Sequence, residues 1–111
     1  MTIPEFVELA MSFDGTEEHP HFERRAFKVH GKRIFTTLHE PDAIVNVKLN
    51  LADQKTFCEF DKKAVYPVPN KFGLQGWTTF HLNQIPEYLM LDVLSAAYQD
   101  VINQSKSRKK G

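Results

Sequence analysis

Apolar residues at Phe6, Val7, Leu9, Ala10 and Met11, with Glu5 and Glu8 between them, follow helical spacing and predict a short amphipathic helix over residues 4–12. Pro4 suits its first turn, and Asp14-Gly15 supplies the stop. The period then changes to alternation. Over residues 22–29, Arg25, Phe27 and Val29 fall on one side and Ala26, Lys28 and His30 on the other. Gly31, within His30-Gly31-Lys32, signals a tight hairpin. Residues 33–39 (Arg-Ile-Phe-Thr-Thr-Leu-His) are rich in β-formers. Glu40-Pro41-Asp42 is a second turn, and residues 43–49 read as a third strand around Ile44, Val45, Val47 and Leu49. Such short connections imply an antiparallel meander.

Asn50, with Asp53 three residues on, marks the start of a second helix of about ten residues, apolar at Leu51, Phe57, Cys58 and Phe60. Residues 64–69 are extended, but two prolines restrict them to an edge or an irregular strand. Residues 70–76, with Gly73 and Gly76, read as a loop, and Trp77 to Leu82 as a strand. Asn83 and Pro86 introduce the longest helix, to about residue 104, with a stripe of Leu91, Leu94, Ala97, Tyr98 and Val101 expected on the sheet. The order is helix, three strands, helix, one or two strands, long C-terminal helix. It predicts an α+β fold with an antiparallel sheet of about five strands and helices packed on one face. One domain is expected over residues 1–104, followed by a basic flexible tail, 105–111.

Composition adds to this picture in two ways. Apolar residues make up 41% of the 111, enough for a core without disulfides or a structural metal, and most of the nine Phe rings are read as core. Charge is balanced overall but unevenly placed. Residues 5–23 hold six acids (Glu5, Glu8, Asp14, Glu17, Glu18, Glu23) and no Lys or Arg. Residues 24–33 hold Arg24, Arg25, Lys28, Lys32 and Arg33 and no acid. The last six residues add four bases, leaving ten bases against fourteen acids in the rest of the chain. Cys58 is the sole cysteine, so no intrachain disulfide can form, which fits a reducing compartment. Neither a signal peptide nor an apolar run long enough to span a membrane is visible. A cytoplasmic protein, monomeric and without a membrane partner, is expected.

The ordered set Phe22-Glu-Arg-Arg-Ala-Phe27-Lys-Val29-His-Gly31-Lys32-Arg-Ile-Phe35, Val47-Lys48-Leu49, Val65-Tyr66-Pro67, Gly76-Trp77 and Leu94…Ala97-Tyr98 resembles MmcQ/YjbR-like proteins over nearly the whole chain. The resemblance implies a CyaY-like (frataxin-like) fold. That family is commonly labelled DNA-binding because its fold has been likened to a double-wing motif. No established reaction comes with the label, and a fold does not fix a function.

Three groups of residues could carry function. The basic hairpin, Arg24, Arg25, Lys28, Lys32 and Arg33 with His30 beside them, could act as a wing that sets cations against the phosphates of DNA, giving salt-sensitive and sequence-tolerant binding. The plainer reading is a solvated hairpin tip, and the neutral isoelectric point weighs against a nucleic-acid domain. The basic tail could add nonspecific phosphate attraction or serve only solubility. Lys48, Trp77 and His81 form a second group. Trp77 and His81 share a strand face across Thr79 and could stack a planar ligand, although a Trp is more often core. His19 and His21, flanked by Glu17, Glu18 and Glu23, could share a divalent metal as in frataxins, but Pro20 lies between them and a solvated loop is the default. No catalytic constellation is evident. Cys58 has no base in view, Gly73-Leu-Gln-Gly76 lacks the Lys-Ser/Thr of a P-loop, and no zinc-finger or helix-turn-helix pattern occurs. The expectation is a noncatalytic DNA-binding or regulatory module without a cofactor, or else a protein- or small-ligand-interaction domain or weak metal binder.

Overall fold

In the computed structural model, which describes residues 1–110 and the side chains of residues 1–103, the chain begins with a reciprocal cap. Thr2 Oγ1 accepts the Glu5 N–H at 3.2 Å while Glu5 Oε1 accepts the Thr2 N–H at 2.7 Å. This starts α1 (Ile3–Met11), which buries Phe6 and Ala10, four residues apart on one face, and leaves Met11 exposed. A hairpin follows: β1 (Thr16–His21) and β2 (Arg24–Val29), joined by Phe22-Glu23. Next come β3 (Ile34–His39), a single 3-10 turn at Glu40–Asp42, and β4 (Ile44–Lys48). Helix α2 (Leu51–Cys58) is capped by Asn50, whose side-chain oxygen accepts the Asp53 N–H at 2.8 Å. Then follow β5 (Val65–Pro67), the one-turn α3 (Lys71–Leu74), β6 (Trp77–His81), a second 3-10 turn, and α4 (Glu87–Lys110). The tail expected from residue 105 falls on residues whose side chains lie outside the described set.

All strand pairs are antiparallel, in the order β1-β2-β3-β4-β6-β5. The sheet therefore has six strands, where the sequence predicted about five; the addition is β1. Its residues are Thr-Glu-Glu-His-Pro-His, intermediate to fully exposed throughout, so no alternation of apolar side chains announced it. Its neighbour β2 holds it through backbone pairing and through the Glu18–Arg25 side-chain bonds.

The two faces of the sheet differ sharply. One carries Phe27, Leu38, Val45, Val47 and Phe80, all shielded from solvent, and packs against α1 and α4. Phe6 meets Phe27 edge-on, with ring centroids 5.8 Å apart. A bulge at Phe27/Lys28 inserts one extra residue on β3, Phe35, and lets its ring join Phe13 and Tyr98. The stripe of α4 that meets this face is Met90, Val93, Leu94, Ala97 and Val101. Leu91, expected in that stripe, is exposed. It sits about 100° around the helix from Met90, and Met90 is the residue in phase with Leu94 and Ala97. The Phe rings also divide. Phe6, Phe27, Phe35 and Phe80 are core and Phe13 and Phe57 pack against it, in line with the expectation for most of the rings, whereas Phe22, Phe60 and Phe72 are exposed. Helix α2 packs beside β5, and its buried Gln54 donates to the Gly73 carbonyl (2.9 Å) and the Trp77 carbonyl (3.3 Å), fixing the segment that leads into β6. Asn50 is tied to α4 through its own N–H, which donates to Asp100 at 3.1 Å. Among the described residues, no helix is long and apolar enough to cross a membrane.

Candidate functional site

The other face of the sheet carries no long helix. Pairing register places His21 opposite Arg24, Ala26 opposite Thr37, Thr37 opposite Asn46, and Asn46 opposite Thr79. Directly opposed residues share a face, so His21, Arg24, Thr37, His39, Asn46, Thr79 and Trp77 all lie on this side. A cleft of about 740 Å³ opens here. Its floor is Thr37, His39 and Asn46; one wall is the β1–β2 turn with His21, Phe22, Glu23 and Arg24; the other is Val68, Asn70, Phe72 and Trp77. The strands supply the floor because their alternation turns every second side chain to this face. The walls stand above it because each is a turn or loop at a strand end.

Local features fix the walls. Phe22 is the first residue of a two-residue turn, with φ of 60° and 96% exposure. Glycine usually takes that left-handed position; here a large ring stands there, edge-on to His21 at 4.9 Å between centroids. Asn70 caps α3, its side chain accepting the Phe72 N–H at 2.8 Å, and so sets Phe72 at the rim. On the floor, Thr79 donates to Asn46 Oδ1 at 2.9 Å. His39 Nδ1 pairs with Asp42 Oδ1 at 2.9 Å, which orients the imidazole. Burial raises the Asp42 pKa, but the His39 bond and the Ile44 N–H outweigh it and hold the carboxyl below its usual range.

Arg24 is the one residue of the lining that carries a fixed positive charge. Its Nη1 is buried with no hydrogen-bond partner among the described residues. A guanidinium N–H shielded from water and left unpaired is costly. No ion pair joins it to Glu23 among the described residues.

The basic hairpin is dispersed by the fold. Strand β1 lies antiparallel against β2 and brings the acidic stretch onto the basic one. Arg25 points to the helix-covered side, where Glu18 holds it through two bonds of 2.6 and 3.0 Å, and Glu40 lies at 3.6 Å. Glu17 stands opposite Lys28 in register. Arg24 faces the cleft, while Lys28 lies four residues along the strand, roughly 13 Å away, with Lys32 and Arg33 at the far end of the hairpin. The five bases thus form no continuous surface. In Glu18, the Arg25 hydrogen bonds lower the pKa more than burial raises it. A depressed carboxyl contributes stability above its unfolded pKa and loses it as the pH falls through the folded value. Glu18→Gln is therefore expected to cost no more than about 1 kcal/mol at neutral pH, because the pair is partly solvated. Urea titrations at pH 7 and pH 3 check this; the gap between variant and parent should close at the lower pH.

The second group is separated as well. Trp77 is half-buried and lines the cleft, not the core, against the plainer expectation for it. His81 shares its face but turns to β5, where its Nε2 lies 2.6 Å from the Tyr66 hydroxyl. Lys48 sits opposite Trp77 in register, but its Nζ bends to the Leu49 carbonyl (3.4 Å). Burial first, and then nearby Arg33, push the Lys48 pKa down against the pull of Asp100. His19 and His21 do lie on one face of β1, but His19 pairs with Glu17, which also takes His30, whereas His21 turns to the cleft. No group of three metal-ligating side chains is assembled among the described residues. Cys58 is half-buried beside the core, and burial pushes its thiol up, away from reactivity.

The cleft itself went unpredicted. Phe22, Thr37 with His39, and Asn46 come from three separate segments, and only the sheet register unites them. The alternation of polar residues along β3 and β4 was the one available signal.

These features define an antiparallel α+β domain with one face sealed by helices and the other open. The chain belongs to the YjbR family, whose model matches residues 11–100. Among solved structures it resembles Deinococcus radiodurans protein DR2400, which carries family-model domain DUF419, with a TM-score of 0.74 at 19% identity, covering 87% of this chain and 75% of that one. At that identity the likeness concerns fold. No curated protein matches the chain significantly.

Proposed function

We propose that this domain is a noncatalytic binding module whose ligand face is the open side of the sheet. The observation that carries this reading is a cleft of about 740 Å³, a volume within the range of small-molecule sites, whose one fixed cation, Arg24, has a buried Nη1 with no hydrogen-bond partner among the described residues. A scaffold of rigid strands holds the floor while turns form the walls, an arrangement suited to recognition. A catalytic reading has less support. His39 is oriented by Asp42 as a base would be, but among the described residues no hydrogen bond joins it to Thr37, the one hydroxyl side chain in the lining.

DNA binding through the hairpin rests on Lys28, Lys32 and Arg33. It is weakened by the neutralisation of Arg25 and the turning away of Arg24. A fragment screen followed by amide chemical shifts tests the main reading. Shifts clustered at His21, Thr37, Asn46 and Trp77 are expected. Shifts confined to residues 28–33, appearing only with duplex DNA and abolished by salt, would favour the hairpin instead.

A further inference from the structure

We infer that the cleft takes an elongated organic anion, with its acidic head at Arg24 and a flat ring at Trp77 and Phe72. This rests on the reading of the open sheet face as a ligand site and assigns the class of ligand. The argument starts from the distribution of chemistry along the cleft. Its positive end is the β1–β2 turn. There Arg24 supplies the one fixed positive charge of the lining; its buried Nη1 has no hydrogen-bond partner among the described residues, and His21 lies opposite it in register. A carboxylate or phosphate oxygen is the natural partner for such a group, because charge-assisted bonds to arginine are the strong ones and its planar fork matches both anions.

The far end is aromatic. Trp77 on β6 and Phe72 on α3 face the same space, and neither is absorbed in the core. Phe72 is 48% exposed, so a ligand there would cover apolar surface that the fold leaves in water. Between the two ends lie β3 and β4, with Thr37 and Asn46 as neutral polar groups able to bond the middle of a ligand. Arg24 and Trp77 stand on strands three spacings apart, roughly 14 Å, and the register offsets them by four residues, roughly 13 Å along the strands, so their backbones lie about 19 Å apart. Long side chains shorten this gap but do not close it. A bare inorganic anion would meet only the first end, and a compact neutral ring only the second.

Glu23 also borders the cleft and is exposed. Its charge opposes an anion at the head position, so it limits affinity and favours a singly charged head. His39 is held by Asp42 and faces the cleft beside Arg24, adding a directional polar contact in place of a second fixed cation.

The test is calorimetry and amide shift mapping on the full chain with five probes. Adenosine monophosphate and indole-3-butyrate carry a ring and a phosphate or carboxylate head, and so separate the two sources of anion. Adenosine and indole-3-butyramide are their neutral counterparts, and inorganic phosphate has no ring. At least one of the two ringed anions should bind roughly tenfold or more tightly than its neutral counterpart and than phosphate. Arg24→Gln should erase that preference, Arg24→Lys should keep part of it, and Glu23→Gln should strengthen binding a few-fold. Shifts at Trp77 and Phe72 should appear only with the ringed probes. Equal binding of acid and neutral counterpart, or indifference to Arg24→Gln, overturns the anion assignment and leaves a binding face. Silence from all five probes overturns the anion assignment; if a broad fragment screen is silent too, the reading of the face as a ligand site falls with it. A folded spectrum of each variant shows that the loss is local.

Discussion

Gly76→Ala is expected to lower the stability of the domain by about 4 kcal/mol or more, a large fraction of what a small domain has. Two effects add at this position. Gly76 has φ of +108°, a conformation that any side chain strains to adopt. A Cβ there would also stand 1.8 Å from the Leu49 carbonyl oxygen and 3.0 Å from its carbon. That neighbour is backbone and has no rotamer by which to retreat. Nor is the carbonyl free to shift, because the Leu49 N–H donates to the Gly76 carbonyl at 3.0 Å and locks the two segments together. The Thr78 hydroxyl donates to the same carbonyl at 2.9 Å. The junction registers β6 on β4 and so underlies the position of Trp77. Gly31 provides the control: its φ is +72°, but nothing lies within 4 Å of its Cβ position. Gly31→Ala should cost only the left-handed penalty, about 1–2 kcal/mol. Urea unfolding followed by circular dichroism measures both. Equal losses would mean that the close approach at Leu49 contributes nothing.

Phe80→Ala should cost about 3–5 kcal/mol, the range for deleting a fully enclosed ring. Phe80 is wholly shielded on β6 and stands opposite Val45 of β4 on one side and Val65 of β5 on the other. Its ring spans three strands, so the cavity left behind cannot be closed by moving one of them. Phe72→Ala, at an exposed rim, should stay within about 0.5 kcal/mol. Thermal melts and urea midpoints of the two variants should differ accordingly. A small loss at Phe80 would show that β5 can collapse onto the gap.

Much of the helix-covered half was legible in the sequence because its signals are local. Asn50 reads as a cap from its type and its distance to Asp53, and it is one. His30-Gly31-Lys32 reads as a hairpin, and β2 and β3 flank it. The α4 stripe was found with one wrong member, since Leu91 and Met90 adjoin and only packing chooses between them. The open half was much less visible. β1 has no apolar side to bury, and Pro20 argues against a strand unless that strand is at an edge. Missing it left the acids and bases as a split along the chain, when antiparallel pairing sets Glu18 against Arg25 and Glu17 opposite Lys28. Phe22 looked like a strand residue because Phe favours strands. Its place at a turn depends on β1, which supplies the other arm.

The same outer strand has a consequence for how copies of the chain meet. A sheet normally invites another strand wherever its rim presents unpaired N–H and C=O groups. One rim here is β1, where Pro20 removes a donor and Glu17, Glu18 and two histidines line the approach. The opposite rim is β5, three residues long and ended by Pro67. Neither offers a clean template for extension. Both rims therefore disfavour growth of the six-stranded sheet by edge-to-edge addition.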